Sequence, residues 1–272
     1  MAAGRVAIGF SKPYAANYVN NNGSISFTGG RVLARGVEVS IDVDTSDDNV
    51  FYADNQAAEA DTGSFTGGSI TLTVDGLFTE AARFLYGLPQ ASDGWVGYDD
   101  RMTHGYKAIG YITKYMSDAV ISYVPTIIVK TSFNQPGEDV KTQEDEIDWQ
   151  TCELTGRILR GDDTNHTWKF VAEDGYATEA EAEAALRTKL GIVDYTVTQT
   201  LSHVTSSFTG STVTSGSAFS ATLTAESTYT LGTVTVTMGG TDVTSTAYSD
   251  TTHKVTIAEV TGNIVVTATA AQ

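Results

Sequence analysis

Cysteine occurs once in the 272 residues, at Cys152. That excludes an intrachain disulfide framework and any zinc site built from several thiolates. Cys152 is left as either a lone thiol nucleophile or a small buried apolar residue. Histidine occurs four times, at His104, His166, His203 and His253. These are widely separated with no H-x-x-x-H spacing, and neither a G-x-S-x-G elbow nor a phosphate-binding glycine loop occurs, so catalysis has no foothold and no cofactor is expected. Basic residues are scarce: 16 stand against 33 acidic ones, a net charge of −17. This balance opposes attraction to a nucleic-acid backbone and docking on anionic lipid. Long apolar runs are also lacking. No stretch approaches the ~18 residues of a membrane span, and the opening MAAGRVAIGFSKPYAANY reaches Pro13 without a secretory apolar segment. The expectation is a soluble chain made inside a cell, with no membrane contact.

What is present is enough apolar material, 41% of residues, to bury one large or two modest cores. The charge is unevenly spread. Residues 196–272 hold Glu226, Asp242, Asp250 and Glu259 against Lys254, leaving 29 acidic and 15 basic residues to positions 1–195. The C-terminal part is threonine-rich, with β-favouring stretches such as TLGTVTVTMGG, HKVTIAEVTG and NIVVTATA separated by Gly, Asp and Ser, the pattern of a small all-β sandwich. A boundary near Gly191–Tyr195 follows, giving domains 1–192 and 193–272.

Just before that boundary, TEAEAEAALRTKLG reads as a helix with Thr178 as N-cap, Glu181 as its capping-box partner and Gly191 as the stop. A shorter helix is expected in TEAARFLYG, with Phe78, Ala82 and Leu85 on one face. Most of the rest reads as strand. In VEVSIDVD, Val37, Val39, Ile41 and Val43 alternate with Glu38, Ser40, Asp42 and Asp44, so one face is aliphatic and the other polar to acidic. In SITLTVD the same period sets Ile70, Leu72 and Val74 against Thr71, Thr73 and Asp75. YKAIGYIT, VISYVPTIIVK, DEIDWQTCELTGRILR and TWKFVAE, with an N-terminal hairpin, supply enough strands for two packed sheets. Pro125 inside the second of these predicts an edge or a bulge.

Three carboxylate-rich stretches invite chemical readings. YADNQAAEADTGSFTGGSITLTVDGL crowds Asp54, Glu59 and Asp61 ahead of a strand, which suits a hard cation, an acid/base pair or a solvated connection alike. DVDTSDDN places Asp42, Asp44, Ser46 and Asp48 at alternate positions like the start of a calcium loop, but the sixth position is Asp47 instead of glycine and the twelfth is Ala53 instead of a carboxylate. Glu144, Asp145, Glu146 and Asp148 form the third cluster. There Glu146, Asp148 and Gln150 share one strand face while Ile147 and Trp149 take the other, which reads as an exposed polar face and not a glycosidic pair. The sequon at Asn165 has meaning only in a secreted eukaryotic chain. Tyr52, Tyr106, Tyr111, Trp149 and Trp168 are expected in the core and in subunit contacts.

The order of RVLARGVEVSIDVD, the acidic stretch leading into a strand, a short helix, HGYKAIGYI and DWQTCELTGRILRG resembles the major tail proteins of long-tailed bacteriophages of Gram-positive bacteria, across residues 5 to about 175. The C-terminal YTLGTVTVTMGGTDVTSTAYS and VTIAEVTGNIVVTATA resemble the small immunoglobulin-like modules appended to phage structural proteins. The resemblance implies a mainly β protein: a two-sheet tail-tube fold with a flanking helix, plus an immunoglobulin-like sandwich. It implies a structural virion protein, not an enzyme, whose hexameric rings stack into a tube for DNA ejection. Its implied partners are further copies of itself and the tape measure, tail terminator and baseplate proteins. DNA would pass through without specific binding. The terminal module would project outward as decoration, with a weak bacterial-surface glycan contact. Four strands from each of six subunits would close a barrel about 40–50 Å across, wide enough for duplex DNA.

A passage for DNA should avoid presenting cations to phosphate, because each contact adds a counterion-release attraction. Glu38, Asp42 and Asp44 are therefore the candidate lumen residues, with ordinary solvent exposure as the bland alternative. Residues 45–66 and 131–144 are the candidate assembly loops, with Asp54, Glu59, Asp61, Asn134, Glu138 and Asp139 on them. The competing reading is a cell-surface or virion adhesin that binds carbohydrate through its C-terminal module. Another virion part, such as a head decoration or baseplate protein, is a third.

Overall fold

The computed structural model describes residues 4–47, 49–61, 63–89, 95–99, 105–135, 137–138, 140–143 and 149–272. The chain is mainly β and divides into two compact units, Met1–Thr28 with Val32–Gly191 and Gly29–Arg31 with Ile192–Gln272.

The first unit runs β1 (Val6–Asn21), β2 (Ser24–Val32), β3 (Gly36–Thr45), β4 (Asn49–Ala53), β5 (Gln56–Asp61), β6 (Phe65–Val74), α1 (Thr79–Tyr86), β7 (Lys107–Ser117), β8 (Val120–Phe133), β9 (Cys152–Ile158), β10 (Lys169–Val171) and α2 (Glu179–Lys189). Hydrogen bonding joins the strands in the order β2-β1-β7-β8-β9-β6-β3, with β10 added to β8. Two-residue turns with both residues at positive φ, Asn22–Gly23, Asp54–Asn55 and Asp118–Ala119, close three hairpins. Their twist matches that of the paired strands.

The two layers expected from sequence are here two halves of one sheet. Its far end returns to its beginning: a Cβ on Gly36, the first residue of β3, would fall 2.2 Å from the Phe10 ring of β1. A single core then draws Ala15, Ile109 and Tyr111 from one half and Ile70, Leu72, Val74, Leu154 and Ile158 from the other. Helix α1 adds Ala81, Ala82, Leu85 and Tyr86 to that core. Phe78, expected on its apolar face, is instead the N-cap and is 84% exposed. The φ/ψ of an N-cap is extended, which turns its side chain away from the helix face that follows.

Residues 107–112 of β7 and 124–131 of β8 are buried on both faces. Ile109 and Tyr111 face the core, while Ala108, Gly110 and Ile112 turn to the opposite side. Helix α2 covers that side with Ala182, Leu186 and Leu190. The predicted capping box between Thr178 and Glu181 is present. The register of β1 slips between Ser11 and Tyr14, with Lys12 at φ 56, and this irregular segment grips the helix. Ser11 Oγ donates to Glu179 at 2.5 Å, Tyr14 Oη donates to Glu183 at 2.5 Å, and Lys12 Nζ lies 3.1 Å from Glu183. Burial, and then Glu183, push the Tyr14 hydroxyl up. Burial pushes the Glu183 carboxyl up as well, but the hydrogen bonds from Tyr14 and Lys12 outweigh it and hold the carboxyl below the usual range.

Pro125 meets Ile112 on the β7 side of β8. On the other side the pairing is interrupted between Thr126↔Val171 and the isolated bridge Tyr123↔Tyr176. A missing N–H is tolerated at such a local edge. Further along, β8 carries one extra residue between the pairs Ile109↔Ile128 and Lys107↔Thr131.

The second unit has a five-stranded sheet in the order Thr212–Thr214, Asp194–Ser202, Ile264–Ala271, Thr230–Met238, Thr241–Asp242. A four-stranded sheet follows the order Val204–Ser206, Phe219–Ala225, Lys254–Ile257, Tyr248–Ser249. Both contribute to one core, with Val197, Val236, Ile264, Val266 and Ala268 from the first and Phe219, Ala221, Leu223, Val255 and Ile257 from the second. Alternation along Ile264–Ala271 places threonine outside and aliphatic residues inside.

Gly110 sets how closely α2 approaches. A Cβ there would lie 2.7 Å from Leu190 Cδ1 and 2.8 Å from Leu186 Cδ1. Gly110→Val is expected to lower the unfolding free energy by about 1–3 kcal/mol through overpacking, measured by urea denaturation.

Candidate functional site

The half of the sheet that α2 leaves bare consists of β3, β6, β9 and the end of β8. Its inward residues belong to the core, with Val39 and Ile41 of β3 packed at its margin. Its outward residues are polar and lie in rows across the strands. Glu38 stands beside Thr73 and Glu153, Ser40 beside Thr71 and Thr155, and Asp42 beside Ser69, Arg157 and Ser132. Asp44, one residue before the end of β3, lies opposite Gly67. Glu38, Asp42, Asp44, Glu153 and Arg157 are all exposed, so this surface carries four carboxylates and one guanidinium. Alternate residues on a strand are ~7 Å apart, and two exposed charges at that distance repel by only ~0.6 kcal/mol in water. The face therefore tolerates its carboxylates without requiring a bound cation.

Among the described residues, strand β3 pairs only with β6 and forms the outer edge of the sheet. Its N–H and C=O groups on the far side are open to another strand. Val37 and Val43, expected on a buried face with Val39 and Ile41, are exposed. They lie toward the two ends of the strand, past the central residues that reach the core.

Residues 45–66, expected to be a loop, hold the β4–β5 hairpin. Its pairing runs from Asn49↔Asp61 to Ala53↔Gln56. Asp54 occupies the turn and Glu59 lies opposite Phe51, while the Asp61 side chain lies outside the described residues. At the base Ser46 donates its N–H to the Ser64 carbonyl at 2.9 Å, and Ser64 donates its N–H to Ser46 Oγ at 3.0 Å. A Cβ on Gly63 would fall 1.8 Å from the Ser46 carbonyl oxygen, so only glycine fits this closure. In the other expected loop, residues 131–133 complete β8 and Asn134 donates its N–H to Thr155 at 3.0 Å. Glu138 is exposed; Asp139 lies outside the described residues.

The other chemical candidates do not converge. Asp42 and Asp44 sit in a strand instead of a calcium loop, and Asp48, His104, Glu144, Asp145, Glu146 and Asp148 lie outside the described residues. Among the described residues no group of three or more His, Cys, Asp or Glu is placed to hold a metal ion, and no helix is long and apolar enough to cross a membrane. Burial pushes the Cys152 thiol up, with a smaller contribution from Glu138, which disfavours the nucleophilic thiolate. His203 Nδ1 lies 3.0 Å from Glu226 with its ring stacked on Tyr229, while His253 Nδ1 lies 3.2 Å from the Tyr248 hydroxyl. A hollow of about 250 Å³ among Pro125, Ile127, Phe170, Tyr176 and Leu186 is apolar, with Lys189 as its only titratable cation. Of the aromatics expected in the core and in subunit contacts, Tyr111 is buried and Trp168 stacks on Phe65 at 4.7 Å. Tyr52, Tyr106 and Trp149 are exposed.

One ion pair, made by a buried lysine, has almost no mark in the sequence. Lys130, in the irregular stretch of β8, donates to both Asp162 oxygens at 2.9 and 2.8 Å. Its ammonium lies 4.5 Å from the Tyr106 ring and 5.2 Å from the Tyr18 ring. Tyr18 also donates its hydroxyl to Asp162 at 3.0 Å. The only signal is a lysine ending the apolar run PTIIVK.

No protein-family model matches this chain, and no curated protein sequence matches it.

Lys130, followed by Tyr18 and Asn20, holds the Asp162 carboxyl below its ordinary range. The stabilisation is therefore complete above the unfolded carboxylate range and is lost as pH falls through the lower folded value. Melting temperature should fall on acidification below about pH 4, and Asp162→Asn should flatten that part of the profile; scanning calorimetry from pH 2 to 7 measures both.

Proposed function

We propose that this chain is the tube subunit of a long-tailed bacteriophage, residing in the virion tail as stacked hexameric rings through which DNA leaves. One observation carries the reading: a half-sheet of four strands whose inner face is core, whose outer face is polar with four carboxylates, and whose edge strand β3 has, among the described residues, no partner on its outer side. Such an edge is suited to continue into the sheet of a neighbouring copy by strand pairing. Repetition around a ring would close a barrel lined by Glu38, Asp42, Asp44 and Glu153. In that barrel the acidic residues keep phosphate in solution, and Arg157 is the cation that stands among them. The second unit is read as an immunoglobulin-like decoration module. The tape measure, tail terminator and baseplate proteins are the partners this role requires.

Negative-stain microscopy of the purified protein should show rings or tubes; a protein that stays monomeric at high concentration rejects the reading. Glu38→Lys/Asp42→Lys/Asp44→Lys tubes should retain duplex DNA that wild-type tubes release, with an affinity whose salt slope steepens by about 0.9 per phosphate contacted. Fluorescence anisotropy with labelled duplex measures it, and unchanged affinity places these residues away from the passage. Truncation after Leu190 should leave assembly intact in the same microscopy assay.

A further inference from the structure

The half of the sheet that α2 covers is not completely filled. Strand β10 leaves β8 after the pair Thr126↔Val171, and the chain returns at the isolated bridge Tyr123↔Tyr176. Both anchor points are hydrogen-bonded. Ala172 donates its N–H to the Pro125 carbonyl at 3.0 Å, and Tyr123 and Tyr176 exchange N–H to carbonyl bonds of 2.9 and 2.8 Å. Between these pairs β8 has two residues, Val124 and Pro125, where the other chain has four, 172–175. The extra residues are accommodated outside the ladder, as in a bulge. Pro125 and Ile127 stand opposite Ile112 and Gly110 and so face α2. Ala172 from the arch and Ala185 from the helix meet them with only a methyl group each. What remains is the half-open hollow of about 250 Å³.

The one cation on its wall is Lys189, whose ammonium lies 4.5 Å from the Phe170 ring. Among the described residues Lys189 has no carboxylate partner, and the arch residues Glu173 and Asp174 do not line the hollow. The carbonyl end of α2 favours a cation there but supplies only partial charge, so the ammonium can still take a full counter-charge. In a chain of net charge −17, an unpaired ammonium beside an apolar opening complements a hydrocarbon chain that ends in an anion. We propose that this hollow binds a small alkyl carboxylate, its chain against Pro125, Ile127 and Leu186 and its carboxylate on Lys189. A methylene takes up about the ~30 Å³ of a water molecule in the liquid, which gives room for a chain of about eight carbons. Water in such a hollow finds few polar partners, so its replacement by hydrocarbon is favourable. The site lies within the first unit and does not depend on the tube reading.

Isothermal titration calorimetry of the full chain with sodium octanoate and with octyltrimethylammonium tests this. Octanoate should bind once per chain with a dissociation constant of about 1 mM or below, and the cation at least about tenfold more weakly. Lys189→Gln should weaken octanoate by about tenfold, and Lys189→Arg should restore it. Ala185→Leu fills the hollow from the helix and Ala172→Leu fills it from the arch. Each should abolish octanoate binding while thermal unfolding stays cooperative, and if one variant fails to fold the other decides. The proposal is overturned by octanoate giving no saturable heat, by the cation binding as tightly as octanoate, or by a folded leucine variant that binds octanoate like wild type.

Discussion

Everything in the first unit depends on Gly110 letting α2 lie against the sheet. With no Cβ at that position, Leu186 and Leu190 reach the β7 backbone, and Ala108 and Ile112 beside it can be aliphatic and buried. The helix is 11 residues long, about 16 Å, so it covers one half of the sheet only. On the other half the outward positions are Ser69, Thr71, Thr73, Glu153, Thr155 and Arg157, and these need no cover. One helix placed on one glycine therefore divides a continuous sheet into a covered half and a bare half.

The same economy recurs in how the bare half ends. Its edge strand keeps its backbone groups available, and its connection to β6 is a hairpin clamped by Ser46 and Ser64 over Gly63. In the proposed tube the open edge meets the neighbouring copy across the strands. In that tube the carboxylates of Glu38, Asp42 and Asp44 would act by repulsion, which suits a surface past which a polyanion must slide.

Several elements are legible in the amino-acid order alone. The α2 helix carries its own start and stop signals in Thr178, Glu181 and Gly191, and local hydrogen bonds within four residues are enough to realise them. The β3 and β6 strands are legible from period-two alternation. The hairpin between them is not: QAAEAD has weak strand propensity, and its pairing is imposed by the β3–β6 ladder at its base and the Asp54–Asn55 turn at its tip. Periodicity misplaces Trp149 and Phe78 for a related reason, since alternation and helix spacing say which residues share a face but not whether a neighbouring element reaches it. The lysine of the Lys130–Asp162 pair is visible as a charge in an apolar run, yet its partner lies 32 residues away and only the fold brings them together.

By itself the amino-acid sequence determined the mainly β character, the capped helix and the polar face of β3, because these follow from side-chain chemistry repeated at short, fixed spacing. The tertiary structure decided which half of the sheet is covered, that the acidic stretch is a hairpin, and that the far end of the sheet meets its beginning. Those outcomes depend on backbone close approaches at Gly110, Gly63 and Gly36 between residues distant in the chain. Such approaches leave no periodic trace in the sequence, since a glycine that admits a helix and one that merely turns a loop are written alike.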